Sequence, residues 1–89
     1  MRPRKTRNLS FAPEHKFFTP ITDKHLVHEE CYLKQDEIEA IKLKDLENKD
    51  QKSCALSMKI SQPTFHRILK QARKKIALAL IKGHSIRIN

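Results

Sequence analysis

The sequence predicts an all-α fold: a tri-helical helix-turn-helix core with an extended N-terminal segment and a short C-terminal tail. Three observations predict it. Phe65, Ile68, Leu69, Ala72, Ile76 and Leu80 trace one stripe of a long helix. Asp50 and Ser61 stand where two helices would start, with a short turn before the second. Pro13 and Pro20 break any helix in the N-terminal quarter. The division that follows is an extended basic and aromatic arm over residues 1–22 and a helix-turn-helix DNA-binding domain over residues 23–89.

Met1 to Arg7 carries Arg2, Arg4, Lys5 and Arg7 around Pro3. It reads as an extended arm of the kind that enters a minor groove beside a helix in the major groove. Phe11, just before Pro13, and Phe17 and Phe18, just before Pro20, are expected to lap over the helical core. Leu9–Phe11 reads as a short strand. Asp23 to Tyr32 reads as a short helix capped by Asp23. His25, His28 and Cys31 fall there at i, i+3 and i+6, a spacing that drifts around a helix, so no metal site is expected.

A helix is predicted from Gln35 to Glu47. Asp36 is its expected cap, with Glu39 three residues on. Ile38, Ala40, Ile41, Leu43 and Leu46 form the expected buried side. The carboxylates Asp36, Glu37, Glu39, Asp45 and Glu47 are read as surface charges, facing away from any polyanion.

Asn48 and Lys49 make a tight turn, because Asn tolerates left-handed geometry. Asp50 caps a second helix, Gln51 to Met58, with Cys54, Ala55 and Met58 inward. Ile60 plugs the core. Ser61 caps the third helix, Gln62 to Ile81, and Pro63 suits its first turn. Gly83 is a plausible stop. The tail HSIRIN alternates like a strand and would pair with Leu9–Phe11.

The net charge is +9 with a pI near 9.9, which points to a polyanionic partner. All ten acids lie at or before Asp50, and the nine basic residues after it have no acid beside them in sequence. The two cysteines make no disulfide framework, and no signal peptide or membrane-length apolar run is present, so a cytoplasmic protein is expected. One glycine leaves no phosphate-cradling loop, and no nucleophile–base spacing is recognisable. An enzyme, a cofactor and a small-molecule ligand are therefore not expected.

The motif string D-E-x-E-A at Asp36–Ala40, L-x-D-L-E at Leu43–Glu47, S-x-P-T-F-x-R-I-L at Ser61–Leu69 and A-R-x-K-x-A-x-A-L at Ala72–Leu80 resembles a family of small bacterial and archaeal proteins. That family is the domain of unknown function one hundred and thirty-four, predicted to bind DNA. R-P-R-K at Arg2–Lys5 fits as well. The helix-turn-helix also resembles the fourth region of primary sigma factors. The resemblance implies a tri-helical, wingless reader of DNA. The chain departs from the family in carrying Asn48 and Lys59 where Gly is usual, at about 1 kcal/mol or more per left-handed residue, and Lys34 where a threonine cap is usual.

The leading expectation is sequence-specific binding of double-stranded DNA by a transcriptional regulator. Gln62, Thr64, His66 and Arg67 would contact bases; Ser61, Lys70, Arg73 and Lys74, with Arg2, Arg4 and Lys5, would hold the backbone. A His66 contact would weaken as the ring deprotonates. The second expectation is a sigma-region-four-like interaction module docking on the transcription machinery. One helix covers few base pairs, so a homodimer or an array of copies is expected, with apolar residues in Phe11–Ile21 or Ile76–Ile81 as the candidate dimer face.

Overall fold

The computed structural model describes residues 16–21 and 29–88. In chain order they form β1 (Phe17–Phe18), β2 (Glu30–Leu33), α1 (Gln35–Ile41), a π-helical continuation (Lys42–Leu46), α2 (Gln51–Met58), α3 (Gln62–Lys82) and β3 (Ser85–Ile88). The fold is mostly helical but not all-α. A three-stranded sheet of order β1-β3-β2 closes one end.

The sheet corrects one expectation and bears out another. Glu30–Tyr32, the end of the expected Asp23–Tyr32 helix, lies in β2; the rest of that segment up to His28 is outside the described residues. The tail is a strand as its alternation predicts. It pairs antiparallel with β1, Phe17 opposite Arg87, and parallel with β2, Glu30 opposite Ser85 and Leu33 opposite Ile88. Leu9–Phe11 lies outside the described residues. Nothing local marks Glu30–Leu33 as extended: its strand state comes from backbone bonds to residues far along the chain, which override local propensity.

Phe17 and Phe18 do not lap over the core. Both stay about half exposed at the sheet edge, and Arg87 stacks its guanidinium 4.4 Å from the Phe17 ring centroid. From this two-residue edge strand Phe18 faces Ala79 and Leu80 of α3 across a groove.

The helix α1 starts one residue earlier than its expected cap. Lys34 is the N-cap, and Glu37 reaches back to accept the Lys34 N–H at 2.9 Å. A glutamate at this third position satisfies the orphan amide without a Ser, Thr or Asp cap, so Asp36 sits inside the first turn. At Lys42 the helix widens, and the Glu47 N–H donates to the Lys42 carbonyl at 2.9 Å, five residues back. The wider turn shifts the face. Leu43 stays buried while Leu46, expected in the core, is 79% exposed. Asn48 then reverses the chain at φ 59°.

Asp50 accepts the Ser53 N–H at 2.7 Å and starts α2. Cys54, Ala55 and Met58 are buried as the sequence predicts. Lys59 closes α2 in the left-handed region, φ 59°, where Gly would be unstrained. Ser61 accepts the Thr64 N–H at 3.3 Å and starts α3. Gly83, φ 72°, ends it. Phe65, Leu69 and Ala72 are buried, and Ile76 partly so. At the C-terminal end Ala79 takes the inward place expected for Leu80, which is exposed. The stripe drifts because the helix there packs on the sheet and no longer on α1 and α2.

Two apolar clusters result. Ala40, Leu43, Cys54, Ala55, Met58, Phe65 and Leu69 bind the helices together. Leu33, Ala72 and Ile88, with Ile38, Ile41, Ile76 and Ile86, bind the sheet to α1 and α3. Burying one side chain of Phe65 or Leu69 size contributes about 1.5–3 kcal/mol. These clusters fix α3 between helices on one side and sheet on the other.

Candidate nucleic-acid interface

The turn between α2 and α3 presents the first half of α3 to solvent. Gln62, His66, Arg67, Lys70, Gln71, Arg73 and Lys74 are exposed there, and Thr64 is half-buried. A shallow groove of about 450 Å³ runs along this face, lined by Thr64, Arg67, Ile68, Lys70, Gln71 and Lys74.

The start of the groove is pre-arranged. The Ser61 hydroxyl donates to Thr64 Oγ1 at 2.9 Å, and Arg67 Nη2 donates to the same oxygen at 3.4 Å. Ser61 therefore does double duty as helix cap and as support for Thr64. This ladder leans the Arg67 guanidinium toward the N-terminus of α3, with most of its donors still free for a ligand.

The expected contacts do not all fall together. At about 100° per helical residue, Arg67, Gln71 and Lys74 share one side of α3. Gln62, His66 and Arg73 lie about a quarter-turn or more away, with Lys70 between. Gln71, given no contact from sequence, belongs to the groove; its i, i+4 spacing from Arg67 was the available signal. Arg2, Arg4 and Lys5 lie outside the described residues.

The charge pattern also differs from the linear one. Asp45 holds Arg73 through two hydrogen bonds, Nε to Oδ2 at 3.0 Å and Nη2 to Oδ1. The Arg73 guanidinium keeps the Asp45 carboxyl below the usual carboxylate range. Arg73 thus enters any ligand contact already paired. Lys75 donates to Glu37 Oε1 at 2.8 Å and to the Tyr32 carbonyl at 2.9 Å. Glu37 is only 2% exposed and Glu39 1%, which corrects the reading of both as surface charges. Arg87 binds both oxygens of Glu30 and, with Tyr32 adding its hydrogen bond, lowers the Glu30 pKa to about 2. Acids of the N-terminal half therefore cross over in space to three of the nine late cations. Among the described residues Arg67, Lys70 and Lys74 pair with no carboxylate.

The cysteines are not part of this face. Cys31 and Cys54 each donate to a backbone carbonyl, of Lys75 and Lys49, and burial pushes both thiols up. Among the described residues no cluster of three metal-ligand side chains forms, and no helix is long and apolar enough to cross a membrane.

The class so defined is a small, mostly helical domain with a buried ionic clasp and one exposed basic helix face. The chain belongs to the family of proteins of unknown function DUF134, whose model matches residues 1–89. It is 46% identical over 88 residues to a UPF0251 protein of Clostridium novyi, covering 99% of this chain and 60% of that protein. It is 44% identical over 88 residues to a UPF0251 protein of Clostridium botulinum strain 657, covering 99% and 56%. The chain thus spans less than two thirds of the length of these relatives. No solved structure matches it.

Proposed function

We propose that the chain binds double-stranded DNA sequence-specifically, with α2 and α3 acting as a helix-turn-helix and α3 lying in the major groove, as a cytoplasmic regulator of transcription. One observation carries the reading: Arg67, Lys70 and Lys74 stand exposed on α3 without carboxylate partners among the described residues, around polar Thr64 and Gln71. Arg67 is placed for a bidentate guanine contact and Gln71 for adenine, while Lys70 and Lys74 meet phosphates. Arg73 stays with Asp45 and adds no phosphate contact.

The second reading is a sigma-region-four-like module that docks on the transcription machinery. Leu46, at the end of the π-helical continuation, and Leu56, on α2, are both exposed and favour it. Selection from a random duplex pool at physiological salt separates the two, because non-specific binding is already weak there. Recovery of a short motif supports a sequence reader. Tight binding without a motif overturns the sequence-specific part, and no binding at all overturns the DNA reading.

A further inference from the structure

The late cations are held by two kinds of partner. Asp45 binds Arg73 and Glu30 binds Arg87, each carboxylate taking two donors of a guanidinium, and Glu37 holds Lys75. Arg67 is held by a neutral hydroxyl. Among the described residues the partner of its guanidinium is Thr64 Oγ1, which accepts from Nη2 at 3.4 Å. A carboxylate fixes an arginine but offsets its charge and fills its fork. A hydroxyl takes one of the five N–H groups and offsets nothing.

Thr64 is itself held in place. Its N–H donates to Ser61 Oγ at 3.3 Å, and Ser61 Oγ donates to Thr64 Oγ1 at 2.9 Å. Branching at Cβ restricts its χ1 as well. A hydroxyl oxygen has two acceptor sites, and Ser61 and Arg67 use both. Thr64 Oγ1 therefore has no lone pair left for the amino group of an adenine or a cytosine, and the residue is half-buried.

We propose that Thr64 is a positioning residue for Arg67, a role that rests on the DNA reading. It orders the guanidinium before the duplex arrives and so sets the discrimination at the base Arg67 reads. A long arginine side chain loses rotamer freedom when it is fixed on a ligand. Only guanine takes the fork on two acceptors of one base, so only the guanine contact requires that ordering. Ordering in advance raises affinity for guanine and leaves affinity for the other bases where it was. The charge of Arg67 stays available throughout, which a carboxylate in the place of Thr64 would not allow.

Duplex binding by the full chain tests this, using the motif recovered by selection and its variants at each base pair. Thr64→Val removes the hydroxyl and keeps the branched shape. It should lower discrimination at the guanine by roughly two- to tenfold, with the affinity for random duplex and the salt slope unchanged. Discrimination is a ratio within one protein sample, so a smaller folded fraction does not alter it. Thr64→Ser should keep the wild-type ratio. In an Arg67→Ala chain, Thr64→Val should have no further effect. Full discrimination by Thr64→Val overturns the proposal, as does a loss that persists in the Arg67→Ala chain or falls at a different base pair. Failure of Thr64→Ser to restore the ratio overturns it too. A wild type that yields no motif removes the sequence-reading function and this role together, whereas a motif read equally well by Thr64→Val removes this role alone.

Discussion

Two sets of cations on α3 meet different fates within a few residues. Arg73 and Lys75 are held by Asp45 and Glu37, while Arg67, Lys70 and Lys74 face solvent without a described carboxylate partner. The first set belongs to the fold and the second is available to a ligand. The difference teaches that charge segregated along a sequence is not charge segregated in space. Acids from the first half of the chain neutralise the cations that face α1 and the sheet. The face they leave is smaller and sharper than the linear pattern suggests.

The largest test of this contrast is Lys75→Met. It strands the Glu37 carboxylate in a buried site, which costs about 3–5 kcal/mol, a large part of the ~5–15 kcal/mol that holds a small domain together. Urea unfolding should show that loss. Adding Glu37→Leu should recover much of it, since no unpaired charge remains; a Lys75→Met chain of wild-type stability would return Lys75 to the solvent-facing set.

On the other side of the contrast, Arg67→Ala should cost about 1–3 kcal/mol at one base position and leave the urea midpoint nearly unchanged. Lys74→Ala should weaken all sequences alike and flatten the log–log salt slope by about 0.9. Equal behaviour of the two variants would reduce Arg67 to a phosphate contact.

Asp45→Asn moves a residue from one set to the other. It releases Arg73, so the salt slope of DNA binding should steepen by about 0.9. The stability cost should stay within about 1 kcal/mol, because both partners are partly solvated. An unchanged slope would mean that Arg73 does not reach the duplex.

The smallest effect concerns Glu30 and Arg87 at the sheet. Glu30 has its pKa lowered from 4.5 to about 2 in the fold. Its pairing stabilises the chain fully above pH 4.5 and is lost as the pH falls toward about 2. Glu30→Gln should remove this part of the acid-unfolding curve and leave the neutral stability difference constant with pH.

What the sequence made legible was local. Asp50, Ser61 and Gly83 set helix ends through atoms a few residues away, and the inward positions of α2 follow one period. Asn48 and Lys59 lie in the left-handed region, where the family pattern expects glycine. The rest depended on distant chain. Glu30–Leu33 is a strand only because β3 lies beside it. Leu46 left the core because the helix widens at Lys42, and Leu80 because Ala79 meets the sheet. Glu37 and Glu39 looked like surface charges because their burial is set by α3 and the sheet. In the candidate site, Arg67, Lys70 and Lys74 were legible as exposed cations on a helix face, whereas the engagement of Arg73 by Asp45 was not.

The parallel pairing of β2 with β3 has a consequence for the order of assembly. Glu30 and Ser85 are partners although the three helices lie between them in the chain. Closing so long a loop is unfavourable until something shortens it, and non-local pairings of this kind form slowly. Packing the helices around Phe65 and Leu69 brings the two ends of the unit within reach. Because β3 is the middle strand, its arrival gives both edge strands a partner in one event. The sheet thus ties the two ends of the described unit to each other across the helical body.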